Sequence, residues 1–107
     1  MKAKRSLGGA AIMATRWRRR QMCVLVADTP APAALRSVSA TGAFLETNAR
    51  PALGRSVELR HPDAGTIAGI VRSVAQDGVA ISFDYGEVSV GFALAAIAAD
   101  MSRPAAA

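Results

Sequence analysis

Thr66-Ile-Ala-Gly-Ile-Val-Arg-Ser-Val-Ala-Gln-Asp-Gly-Val-Ala-Ile-Ser-Phe-Asp-Tyr85 decides the fold. Two strand-like runs, Thr66 to Val74 and Val79 to Tyr85, flank Ala75-Gln-Asp-Gly78, whose Asp-Gly pair is a strong hairpin signal. Val79, Ile81 and Phe83 share one face of the second run and Ala80, Ser82 and Asp84 the other, the period of a half-buried strand. Upstream, Gln21 to Ala27 puts Cys23, Leu25 and Ala27 on one face and Met22, Val24 and Val26 on the other. Asp28-Thr-Pro-Ala-Pro32 is predicted to break the chain, because two prolines cannot donate to a ladder. Leu35 to Ser39 and Ala43 to Thr47 follow as strands, joined at Ala40-Thr41-Gly42, a tight turn whose glycine is expected to take a positive φ. After a loop from Asn48 to Gly54, Ser56 to Arg60 turns Val57 and Leu59 inward, and His61-Pro-Asp-Ala-Gly65 is expected as an exposed hairpin loop. Downstream the period changes: Gly91 to Met101 is alanine-rich, with Leu94, Ile97 and Met101 at helical spacing and Pro104 as a stop. Six short sequential strands predict an all-β fold, a six-stranded antiparallel β-barrel whose closure removes exposed edges. A C-terminal α-helix is expected to plug or flank it.

At 107 residues the chain holds one domain's worth of sequence, and 51% hydrophobic residues exclude wholesale disorder. Much of that fraction is alanine and only 5% is aromatic, so the core of large side chains is thin. A single cysteine, Cys23, excludes a disulfide framework and a four-thiolate zinc site, and in its apolar strand it reads as a buried small hydrophobe. A single histidine, His61, excludes most Ser–His and Cys–His catalysis. Asp28, Asp63, Asp77 and Asp84 fall at turns and strand ends without metal or paired-acid spacing, and no glycine-rich phosphate loop precedes a helix. The expectation is a non-enzyme without metal or cofactor.

The net charge of +5 is unevenly spread: residues 1–20 carry seven basic residues and no acid, whereas residues 21–107 carry six basic and eight acidic residues. The basicity therefore belongs to an N-terminal arm that seeks anions. Leu7 to Met13 is short, weakly apolar and runs into arginines, which does not make a secretory signal. No stretch approaches the roughly 18 apolar residues of a membrane span. The expected location is cytoplasmic. The expected organisation is a disordered basic extension over 1–15, a domain over 16–101 and a disordered tail over 102–107, with Met13 as an alternative start.

Arg16-Trp-Arg-Arg-Arg20 contains Arg-x-x-x-Arg just before the first strand, and Ser37-Val-Ser-Ala-Thr-Gly42 ends the second as x-Ser-x-x-Gly, followed by Ala43-Phe-Leu-Glu46. Leu53-Gly-Arg-Ser-Val-Glu-Leu59 and Gly78-Val-Ala-Ile-Ser-Phe83 come next. In order and spacing, residues 16–101 resemble a PilZ domain, the bacterial receptor module for cyclic di-GMP. The resemblance implies a barrel whose arginine arm folds over a nucleotide lying against its outer surface. It carries over Arg16, Arg20, Ser39 and Gly42 as ligand-binding positions; Arg19 and Trp17 are secondary candidates beside them, Trp17 either stacking on a base or packing onto the barrel. Ser37 occupies a place where the family has Asp or Asn. Arginine suits the task, since its planar fork pairs with phosphate oxygens or guanine O6 and N7 and stacks on bases. The implied function is a cyclic di-GMP effector that orders its arm on binding and signals to a separate downstream protein. Two other readings stand beside it: a degenerate PilZ-like protein-interaction module, and a basic-armed barrel binding nucleic acid non-specifically. The body offers only Phe44, Phe83, Tyr85 and Phe92 as further aromatics for base stacking, which disfavours the latter.

Overall fold

Alternation of apolar and polar residues buries one face of every strand, and in a chain this small the six buried faces meet only if the sheet curls on itself. A computed structural model describes residues 21–102 and shows that closure. Six strands, β1 (Gln21–Val26), β2 (Pro30–Ser39), β3 (Gly42–Glu46), β4 (Ser56–His61), β5 (Gly65–Ala75) and β6 (Gly78–Ser82), are followed by helix α1 (Glu87–Ser102). Their order around the closed barrel is β1-β2-β3-β6-β5-β4, every pair is antiparallel, and β1 closes on β4 through Leu25↔Leu59. Val57 and Leu59 face inward and Cys23 is buried, as expected; the faces shared by Cys23 and Leu25 and by Val79, Ile81 and Phe83 are the buried ones, together with Leu45, Ile67 and Val71. Among the described residues, no helix is long and apolar enough to cross a membrane.

Four local expectations are corrected. The proline segment does not interrupt the sheet: β2 starts at Pro30, and Pro30 and Pro32 pair with Val26 and Val24. β2 pairs β1 over its first half and β3 only from Ala34 onward, so both prolines lie where one side of the strand is unpaired, and a missing N–H costs nothing there. Gly42 does not need a positive φ; among the described residues those belong to Gly54, Gly65 and Gly78. Glycine is required at position 42 because a Cβ would overlap the Ile81 carbonyl oxygen of the adjacent strand. His61 is not exposed: it continues the inward series of Val57 and Leu59 and retains only 4% of its surface. Its Nδ1 accepts the amide N–H groups of Asp63 and Ala64, each at 3.0 Å, and its ring meets Phe92 edge-on.

The fourth correction concerns α1, which begins at Glu87 rather than Gly91. Ser89, fully buried, accepts from the Gly86 amide at 3.0 Å and donates to the Gly86 carbonyl at 3.1 Å, capping the first turn. The helix buries Ser89, Phe92, Ala93 and Ala96 and leaves Leu94, Ile97 and Met101 exposed. It packs on β2 and β5, which stand opposite each other in the ring, so it lies across one end of the barrel. Alanines allow that close approach, and Phe92 reaches Phe83 at a ring separation of 5.7 Å.

Candidate functional site

β2 and β3 form a hairpin whose turn is Ala40-Thr41, with Ser39 paired to Gly42. Ser37 and Ser39 are two residues apart, both exposed, and therefore project from the same outer face. Ser39 Oγ accepts from the Thr41 amide at 3.2 Å and shares a hydrogen bond with Thr41 Oγ1 at 3.0 Å, which stiffens the turn. Phe83 N–H donates to the Thr41 carbonyl at 2.9 Å and ties the turn to the end of β6. These residues frame an open depression of about 350 Å³ lined by Ser37, Ser39, Thr41, Gly42 and Phe44 among others. Its size falls in the range of small-molecule sites. Gly42 lines it without a side chain, and the place a Cβ would take is filled by the Ile81 carbonyl oxygen of β6.

Around this depression the sheet carries two β-bulges. Leu35 pairs Leu45 and Ser37 pairs Phe44, so Arg36 is the extra residue on β2. Val71 pairs Ile81 and Ser73 pairs Ala80, so Arg72 is the extra residue on β5. A bulge re-aims its side chain. Arg36 lies over the Phe44 ring at 5.4 Å and forms ion pairs with Glu46 and Asp77 at 3.7 and 3.6 Å. Arg72 Nε–H donates to Ser82 Oγ at 2.8 Å.

Three of the residues named from sequence, Ser37, Ser39 and Gly42, are thus brought to one place. Arg16, Trp17, Arg19 and Arg20 lie outside the described residues. The first described residue, Gln21, pairs Leu35 on β2, two positions before Ser37. Sequence reasoning missed Arg36, Thr41 and Arg72. Its usable signal was the pair Leu35-Arg-Ser-Val38 and Val71-Arg-Ser-Val74, in which two consecutive polar residues between apolar ones break the strand period.

A second depression of about 400 Å³ on the outer surface is lined by Met22, Pro32, Ala34, Glu46, Thr47, Asn48, Gln76 and Asp77. Glu46 and Asp77 on its wall would repel an anion, so it does not compete as a phosphate site. Among the described residues no group of three or more His, Cys, Asp or Glu side chains could hold a metal ion. Cys23 is buried, and burial pushes its thiol from 9.0 up to about 11, which makes it an inert core group. Comparison with known proteins gives no matching family model, no matching curated relative and no matching solved structure.

Proposed function

We propose that this chain is a PilZ-type receptor for cyclic di-GMP. The observation that carries the reading is the convergence of Ser37, Ser39 and Gly42 in one depression beside the strand onto which the arginine arm is joined. The barrel face supplies hydroxyls; the arm supplies Arg16 and Arg20 for the phosphates and guanines. Ligand binding orders the arm against the barrel, and the covered face becomes a new surface for a downstream protein. The acceptor at Ser37 is neutral, so the guanine edge is read more weakly than by a carboxylate.

Calorimetric titration with cyclic di-GMP, with cyclic di-AMP as control, tests the reading. Binding of the guanine dinucleotide, lost in Arg16→Ala and Arg20→Ala while the melting temperature is unchanged, is the expected result. Absence of heat at high micromolar ligand overturns it. In that case the Ser39–Thr41 hydrogen bonds are a turn device only, and the protein-interaction reading takes its place.

A further inference from the structure

Arg72 is chemically unlike the other described arginines. Arg36 faces Glu46 and Asp77, Arg55 is paired with Asp28, and Arg60 with Glu58. Arg50 donates to the carbonyl oxygens of Thr47, Ala49 and Gln76. Arg72 is exposed; among the described residues its one hydrogen bond is from Nε–H to a neutral serine, and no carboxylate lies within ion-pair distance. Two terminal NH₂ groups of a fully charged guanidinium are left for a ligand.

Its position gives that surplus charge a use. Ser82, which holds Arg72, is the β6 partner of Gly42, and Gly42 is the β3 partner of Ser39. Ser39, Gly42 and Ser82 therefore form one row across β2, β3 and β6; Ile70 continues it on β5, and Arg72, two positions further along β5, reaches back to Ser82. The guanidinium is held through Nε at 2.8 Å from Ser82 Oγ, on the residue that pairs with Gly42. Arg72 follows buried Val71 and faces outward, and the bulge turns Ser73 outward beside it. Holding Nε on Ser82 Oγ restricts the side chain, so less rotamer freedom is lost when a ligand arrives.

We infer that Arg72 is the barrel's own phosphate contact: it engages one phosphate of the dinucleotide from the side of the depression opposite β1, where the arm joins. The inference rests on the cyclic di-GMP reading and adds a cation from the barrel to Arg16 and Arg20.

The test is calorimetric titration of the full chain with cyclic di-GMP for the wild type, Arg72→Ala and Arg72→Lys, each with a thermal melt. Losing a charge-assisted contact to phosphate is expected to weaken Arg72→Ala by roughly 10- to 100-fold. Lysine retains the point charge that phosphate recognises, so Arg72→Lys is expected within about threefold to fivefold of wild type on the same scale. All three proteins should melt alike, because the side chain is exposed. Wild-type binding with Arg72→Ala undiminished overturns the inference and leaves the receptor reading standing. Arg72→Lys as weak as Arg72→Ala overturns the phosphate assignment. A wild type that does not bind removes the receptor reading and this inference with it.

Discussion

Replacing Gly42 by alanine separates what the barrel needs from what a ligand needs. The added Cβ would overlap the Ile81 carbonyl oxygen and press on Ile81 C and Ser82 Cα, each at 3.3 Å. These are backbone atoms of the paired strand, so no side-chain rotation relieves the contact. β3 and β6 must move apart at Gly42↔Ser82, beside the Ala43↔Ile81 pair. Overpacking of this kind costs about 1–3 kcal/mol. In a domain of this size each kcal/mol shifts the melting temperature by about 4–8 °C, so a fall of at least ~5 °C is expected. Gly91→Ala is the matched control: Gly91 is exposed within α1, a Cβ there meets nothing within 4 Å, and alanine in a helix is favoured by about 0.5–1 kcal/mol. Differential scanning calorimetry of both variants without ligand should show opposite signs. A Gly42→Ala melt within 1 °C of wild type, on the scale just given, would refute the claim that strand approach fixes this glycine.

Cys23 is expected to resist a thiol reagent at pH 8 in the native protein and to react fully in guanidinium, because burial raises its folded value from 9.0 to about 11. Since the folded state holds that proton more tightly than the unfolded state, stability should be constant below pH 9 and decline from pH 9 towards 11, read by urea unfolding at each pH. Ser37→Asp should tighten cyclic di-GMP binding by about 1–2 kcal/mol, roughly 5- to 30-fold, since the position is exposed and a carboxylate accepts charge-assisted bonds; unchanged or weaker binding in a titration contradicts the assigned register. Raising salt from about 50 to 200 mM should weaken dinucleotide binding about tenfold at most, but binding to a mixed-sequence oligonucleotide of about 20 bases far more steeply, by fluorescence anisotropy. Tight oligonucleotide binding at the higher salt without competition by the dinucleotide would favour the nucleic-acid reading.

The barrel was legible because period-2 alternation in Cys23–Leu25, Val57–Leu59 and Val79–Ile81–Phe83 marks buried faces directly, and Ala75 to Gly78 marks a hairpin. The two-residue turn is Gln76-Asp77, with Ala75 paired to Gly78. The prolines misled because proline forbids a ladder bond only on a paired side, and sequence does not say which half of β2 is paired. The helix misled in a different way: Leu94, Ile97 and Met101 share a stripe, yet the barrel end accepts the alanine side, where Ala93 and Ala96 let the backbone come close. His61 looked like a loop residue because Pro62 follows it, whereas strand parity from Val57 turns it inward. At the candidate site, Ser37, Ser39 and Gly42 were singled out by the resemblance that their spacing carries. Arg72 was not, because its place depends on a bulge and on a cross-strand partner ten residues away.

The most direct test of the receptor account is a residue-resolved titration: amide chemical shifts of the full chain, followed by NMR as cyclic di-GMP is added. The expected result is saturable shifts at Ser37, Ser39, Thr41, Gly42 and Phe44, extending to Arg72 and Ser82, with no change at Met22, Glu46, Thr47, Gln76 and Asp77 around the acidic depression. No shifts at saturating dinucleotide, or shifts centred on the acidic depression, would contradict it.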